Sequence, residues 1–425
     1  MFHERRSLVR RSRTRIQYTN AAGLTIRFVA GTSSTSKELS RLRNVITIGD
    51  MICQTLRPTL AFICAFIAPG LIAQPATKAA APIRWTDIRE LGVEGQGWRN
   101  TEAPYDRLPA RAEDKVRDPV WRLSRNSAGM HVRFITDAPS IHARWAVTSS
   151  NLAMPHMAAT GVSGLDLYVK TDKGEWRWLA VGRPEKQTNS TALISNLPPA
   201  RREYLLYLPL YNGTHFVEVG VPEGATLTKA GAWGPGTRKP MLFYGTSILH
   251  GACASRPGMV HSAILGRRFH FPHINLGFSG NGKMEPELAG LLAELDPSVY
   301  VLDCLPNMNA AEVTERVEPF VKKLRAAHPH TPIVLVEDRT YADSFLVASK
   351  QKRNETSRAA LKAAYDRLRK SGVKDLHYLK GADLLGDDGE GTVDSSHPND
   401  LGFMRQADAH AKVLAPILKN AIKQR

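Results

Sequence analysis

Met241-Leu-Phe-Tyr-Gly-Thr-Ser-Ile248 is the stretch on which the reading of the fold turns. Four apolar residues without alternation describe a strand buried on both faces, and the glycine after them permits a sharp turn. The serine then stands at the mouth of a helix, where backbone N–H groups favour an anion. Further short apolar runs follow downstream: His273–Leu276, Val299–Leu302, Ile333–Glu337 and Leu376–Leu379. Between them, Val313, Val317, Phe320 and Leu324 recur every three or four residues, as do Leu361, Tyr365 and Leu368, and each set marks one apolar helix face. Alternating strands and helices predict an α/β domain over residues 239–425, doubly wound about a five-stranded parallel sheet.

Upstream the text changes. Runs such as His131–Ile135, Ile141–Val147, Leu165–Val169, Trp176–Ala180, Arg202–Leu208 and Phe216–Gly220 alternate apolar with polar residues, separated by turn signals such as Asp172-Lys-Gly174 and Tyr211-Asn-Gly213. Strands without intervening helices predict an antiparallel sandwich over residues 116–232, closed by the break Gly231-Ala-Trp-Gly-Pro-Gly-Thr237. Residues 74–115, rich in Ala, Pro, Gly and charge with Trp85 and Trp98 as anchors, read as a linker leading into that domain.

A chain of 425 residues accommodates two such domains. Its net charge of +17 is concentrated at the start: residues 1–50 hold ten Arg or Lys against three acids, Arg57 adds one, and +9 is spread over residues 74–425 without a basic stripe. That distribution argues against a nucleic-acid partner. Leu60–Ala73 is apolar, preceded by Arg57, interrupted by Pro69 and followed by small residues, so residues 51–73 read as a secretory signal cleaved after Ala73. It is short for a bilayer span, so export to the periplasm or medium is expected, with no stable membrane insertion afterwards. Residues 1–50 then read as an extension outside the fold. Cys53 and Cys64 leave with the signal. Cys253 and Cys304 remain, either as one disulfide or as free buried thiols, and show no metal-ligand spacing.

Open α/β sheets carry function in the loops beyond the carboxyl ends of their strands. Three loops are chemically notable. Tyr244-Gly-Thr-Ser-Ile248 presents Ser247, although a serine after a strand commonly only caps a helix. Val393-Asp-Ser-Ser-His397 sets Asp394 and His397 three apart, so that a carboxylate can fix an imidazole whose other nitrogen faces a hydroxyl; Asn399 or Asp400 would cap the helix that follows. Asp303-Cys-Leu-Pro-Asn307 ends a buried strand in a side-chain amide able to donate into the same cleft, or simply to form a turn.

In that order and context these residues resemble the SGNH, or GDSL-type, hydrolase family across residues 239–418. Gly245-Thr246-Ser247 matches its first block, Gly280 its second, Asn307 its third, and Asp394 with His397 its fifth. The departures are Thr246 where the family usually has Asp, and a third block without the common Gly-x-Asn-Asp form. The resemblance implies a flavodoxin-like α/β fold and a serine esterase: Ser247 as nucleophile, His397 as base, Asp394 as its orienting acid, and an oxyanion hole from Ser247, Gly280 and Asn307, with no cofactor or metal. Asn151-Leu-Ala-Met-Pro-His-Met157 leading into Gly164-Leu-Asp-Leu-Tyr168 is similar to the Gly-x-Asp-Leu-Tyr domain, jelly-roll-like, that precedes some bacterial SGNH esterases akin to carbohydrate acetylesterases. The pairing implies short acyl esters on an extracellular glycan or a small molecule as substrates. An acyltransferase working through the same acyl-enzyme, and a non-catalytic carbohydrate-binding protein on this fold, are the alternatives. Asp166 and Tyr168 fit a domain interface. His156, Trp176 and Trp178 are candidates for a sugar-facing rim, Asp303, Glu337 and Asp338 for shaping the pocket, and His250, His261, His270 and His273 for packing.

Overall fold

The computed structural model describes residues 14–19, 25–30, 81–234 and 238–423. Met1–Lys78 and Ala79–Arg425 are two compact units. In the first, where an extension outside the fold is expected, the described residues form an antiparallel pair, Thr14–Thr19 with Thr25–Ala30. The signal segment 51–73, with Cys53 and Cys64, lies outside the described residues. No helix among the described residues is long and apolar enough to cross a membrane.

The second unit begins with the sandwich. One sheet runs in the order Leu227–Lys229, His131–Thr136, Arg202–Tyr207, Leu165–Lys170, Trp176–Gly182, with Val93–Glu94 also paired to His131–Thr136; the other runs Ile83–Asp87, Thr214–Pro222, Ile141–Val147, Thr188–Ile194. All pairs are antiparallel. Alternate residues of each strand turn inward, and Phe134, Trp145, Leu167, Tyr204 and Val217 meet between the sheets.

The linker expected over residues 74–115 is corrected from Ile83 onward. Ile83–Asp87 is an edge strand whose Trp85 ring fills the space above Gly220. Trp98, Leu108 and Ala112, and beyond them Val120 and Trp121, pack against the downstream parallel sheet, with the Trp98 indole donating to Glu294 at 2.9 Å. Their apolar residues are isolated in sequence, which hides both roles. The sandwich therefore starts before residue 116, and residues 98–124 cover the α/β core.

That core is built on β1 (Met241–Gly245), β2 (His273–Gly277), β3 (Val299–Asp303), β4 (Ile333–Val336) and β5 (Leu376–Leu379), parallel throughout and ordered β2-β1-β3-β4-β5. This is the flavodoxin-like winding that the family resemblance implies, with its topological switch beside β1. The connecting helices are α1 (Ser247–His250), α2 (His261–Phe269), α3 (Pro286–Leu292), α4 (Ala310–Ala327), α5 (Ala348–Lys370) and α6 (Asp400–Lys423). Strand alternation divides the apolar residues: Leu242, Tyr244, Leu302 and Leu335 face α3, α4 and α5, whereas Met241, Phe243, Val301 and Val334 face α2 and α6. Val313, Val317, Phe320 and Leu324 are the buried face of α4, and Leu361 and Leu368 that of α5. The carboxyl ends of β1, β2 and β3 are thereby held rigidly side by side.

Candidate active site

The loop after β1 carries Ser247 as the first residue of α1. Thr246 caps that helix, its hydroxyl accepting from the Ile248 N–H at 3.3 Å. The Ser247 carbonyl accepts from the Gly251 and Ala252 N–H groups at 3.0 and 2.9 Å, and from the Tyr211 hydroxyl at 3.1 Å. Tyr211, read from sequence only as part of a turn, reaches over from the sandwich and stacks on His250, ring centroids 4.0 Å apart. The serine's position is thus fixed from both domains.

The second loop, before α6, is a compact knot. The His397 carbonyl accepts from the Val393 N–H at 2.9 Å and from the Thr392 hydroxyl at 2.8 Å, so the chain folds back on itself. Asp394 Oδ1 accepts from the His397 and Ser396 N–H groups at 2.8 and 3.1 Å. Its Oδ2 accepts from His397 Nδ1 at 2.7 Å, and His397 Nε2 accepts from the Ser247 hydroxyl at 2.8 Å. The hydrogen-bond chain assigns the tautomer: Nδ1 holds the proton. Partial burial of Asp394 opposes ionisation, but the amide and imidazole hydrogen bonds overcome it and hold the carboxyl below its ordinary value. Asn399 caps α6 by accepting from the Gly402 N–H at 3.0 Å, while Asp400 accepts from the Ser255 N–H at 2.9 Å and so ties the knot to the segment after α1.

The third side comes from the loops after β2 and β3. Gly282 packs against β1 so closely that a Cβ there would stand 2.0 Å from the Gly245 carbonyl oxygen, and Gly280 takes a left-handed φ of +68°. Asn307 is oriented by this loop: with its side-chain oxygen toward Asn281 and Gly282 it accepts their N–H groups at 3.0 and 3.3 Å, which leaves its NH2 free of them. Among the described residues the Ser247 and Gly280 N–H groups have no acceptor in the protein. A hydroxyl hydrogen-bonded to an imidazole, together with unspent donors at the ends of adjacent strands, is an arrangement suited to acyl transfer.

The remaining sequence candidates divide by burial. His250, His261 and His273 are fully buried and held neutral, well below the ordinary imidazole value, chiefly by burial. His270 instead caps α2 with a left-handed φ of +52°. Asp303 is engaged by Arg339, which donates to both its oxygens, at 2.6 Å to Oδ1, and to Gln406 at 2.9 Å. The His261, His410 and Asp303 ligand atoms lie within 4.8 Å of one another, but Arg339 occupies the carboxylate, which disfavours a cation there. Asp338 is buried near Arg339, accepting from Asn354 at 3.3 Å, whereas Glu337 accepts from Tyr378 and from the Gly381 N–H. Neither touches the serine. Cys253 and Cys304 are free buried thiols; burial and the neighbouring Asp394 push Cys253 up to about 12, so it does not compete as a nucleophile.

Asp166 and Tyr168 do lie at the domain interface. The buried Asp166 carboxylate accepts from Arg256 at 2.9 Å, the Gly258 N–H at 2.8 Å and the Trp178 indole at 3.0 Å, and Arg256 also donates to the Tyr168 hydroxyl. Trp176 packs on Trp233 against the interface cluster that holds Tyr168, Tyr207 and Ala263. His156, by contrast, is exposed with its ring 6.1 Å from that of His397. Sequence gave no sign of Arg107, buried without a carboxylate, which donates to the Gly277 carbonyl at 2.7 Å and to Leu123 at 2.6 Å and so braces the end of β2. A cavity of about 860 Å³ lined by Arg117, Lys283, Glu312 and Phe320 contains none of Ser247, Asp394 or His397, and its charges pair among themselves.

Residues 238–415 match the GDSL-like Lipase/Acylhydrolase family, and residues 83–227 match GxDLY, the N-terminus of Esterase_SGNH_hydro-type. Among solved structures, a Bacteroides ovatus protein assigned to the GDSL-like lipases is 37% identical, covering 80% of this chain and 98% of its own, with a TM-score of 0.75. The salicylyl-acyltransferase SsfX3 from a tetracycline biosynthetic pathway is 21% identical over 79% of this chain and 97% of its own, with a TM-score of 0.62. A family two carbohydrate esterase from Clostridium thermocellum is 14% identical over 69% of this chain and 93% of its own, with a TM-score of 0.50. These last two share the fold. No curated protein matches the chain.

Proposed function

The chain belongs to the GDSL-like lipase/acylhydrolase family, and on that premise we propose that it is a serine esterase removing short acyl groups, acetyl first among them, from carbohydrate. The observation that carries this is the unbroken hydrogen-bond chain from Ser247 through His397 to Asp394. His397 Nε2 takes the Ser247 proton as Oγ attacks the ester carbonyl, and Asp394 stabilises the imidazolium that forms. The Ser247 and Gly280 N–H groups and the Asn307 NH2 receive the developing oxyanion. Collapse of the tetrahedral intermediate returns the proton from His397 to the departing alcohol and leaves an acyl-enzyme, which water resolves by the same steps. The His397 and Asp394 side chains are 26% and 44% exposed, so water reaches the base directly, as the second half of a hydrolysis requires.

The fold shared with a carbohydrate esterase makes sugar esters the first substrates to try. Export through residues 51–73 belongs to the same reading, since it would bring the enzyme to extracellular glycans. The test is release of p-nitrophenol from the acetate ester, followed by a screen of acetylated xylan, mannan and pectin. Ser247→Ala is expected to abolish release and leave the melting temperature nearly unchanged. Equal activity in the variant would overturn the assignment.

A further inference from the structure

His156 stands on a short turn that the sandwich extends toward the serine. Met154 and Met157 close the turn with two backbone hydrogen bonds of 3.0 Å, so Pro155 and His156 form its exposed tip. The turn is anchored in the neighbouring domain. Met157 is 4% exposed and lies in the same apolar cluster as Ile248, Leu249 and Ala254, and the Thr160 hydroxyl donates to the Ser255 carbonyl at 2.6 Å. At Gly161 a Cβ would stand 2.3 Å from the Ala254 carbonyl oxygen, so backbone meets backbone without an intervening side chain. The base of the turn is therefore as fixed as α1 itself, and its tip carries an imidazole whose nitrogens no described residue engages, 6.1 Å from the ring of His397.

The chemistry gives that position a meaning. In acyl transfer by Ser247 the carbonyl oxygen points to the donors of Ser247, Gly280 and Asn307, while the leaving oxygen must lie beside His397 Nε2 to receive its proton. The rest of the alcohol then extends past the His397 ring, within reach of an exposed side chain whose own ring is 6.1 Å from that ring. We infer that His156 is a specificity residue for the alcohol half of the ester, hydrogen-bonding a hydroxyl on a carbon next to the esterified one, as a polyol or sugar ring presents and a simple alcohol does not. The inference rests on the esterase function above and adds to it which half of the substrate the sandwich domain recognises. A few polar groups at fixed positions set orientation in such sites, and an imidazole serves as donor or acceptor.

The test compares kcat/KM for a methyl xylopyranoside monoacetylated on a ring hydroxyl, which carries a vicinal hydroxyl, with kcat/KM for p-nitrophenyl acetate, which carries none. His156→Ala should lower the ratio of the two by roughly tenfold, the worth of one hydrogen bond, mainly through KM for the glycoside. His156→Gln, which keeps a donor and an acceptor, should recover part of the loss. A ratio within about twofold of wild type in His156→Ala overturns the inference, since one hydrogen bond is worth more than that. So does a wild type that turns over p-nitrophenyl acetate but not the glycoside, while the esterase reading stands. A wild type inert on both, with Ser247 unreactive toward a fluorophosphonate, overturns the esterase reading and this inference with it.

Discussion

Two polar clusters in the α/β domain use the same ingredients to opposite ends. Asp303, Arg339 and Gln406, with His261 and His410 alongside, are sealed from water, and every carboxylate oxygen is taken by a guanidinium. Asp394, His397 and Ser247 are linked just as directly, yet the acid and the base remain partly open to solvent. The buried cluster has no route for a substrate and a fixed charge balance, and its histidines are held neutral, His410 down to about 4, chiefly by burial. It can only hold β3, β4 and α6 together. The open cluster has a proton poised between two atoms and unspent N–H donors nearby. Burial, not residue type, separates structure from chemistry here.

Breaking each cluster should therefore register in different observables. The largest effect is expected from Asp394→Asn, which keeps the loop's shape but loses the charge that fixes the His397 tautomer: kcat for p-nitrophenyl acetate should fall on the order of 10⁴-fold, with little change in melting temperature. Arg339→Met should do the reverse. It strands the Asp303 carboxylate in the core, at about 3–5 kcal/mol of stability in chemical denaturation. Activity measured well below the transition should survive. Asn307→Ala should lower kcat by about 10²–10³-fold with the fold intact; a loss confined to KM would make it a binding residue instead.

The smallest effect concerns Asp338, which burial pushes up to about 6 despite Arg339, Arg353 and Arg358 nearby. A carboxyl whose value is raised on folding contributes stability that is full below its ordinary value of about 3.8 and is lost as pH rises through about 6. Asp338→Asn, neutral at every pH, should gain on wild type between pH 4 and pH 7, on the order of 1–3 kcal/mol, visible as a melting-temperature difference that grows with pH. A difference that stays flat across that range would show Asp338 ionised in the fold.

The two clusters also differ in how far they can be read in sequence. Ser247, Asn307, Asp394 and His397 each follow a strand in a loop of unusual composition, Gly280 is added only by the family resemblance, and Asp394 and His397 are near neighbours in the chain, so their meeting is a local matter. Arg339 and Gln406 are sixty-seven residues apart and embedded in ordinary text, and only the winding of the sheet brings them to Asp303. The five parallel strands were legible because burial on both faces demands unbroken apolar runs. Thr188–Ile194 was not, because an edge strand with mostly exposed residues has no alternation to show. Ile83–Asp87 and the Trp98–Trp121 region were hidden for a related reason: single anchors set among polar residues carry no period. Tyr211 and Arg107 act by reaching across from segments whose own sequence suggests only a turn and a linker.

The central claim, that Ser247 is the activated nucleophile of this site, is tested most directly by treating wild type and Ser247→Ala with a fluorophosphonate and measuring intact mass and the modified peptide. One adduct per chain on Ser247 in wild type, and none in the variant, is the predicted result. An unlabelled wild type, or a label that persists in Ser247→Ala, would contradict it.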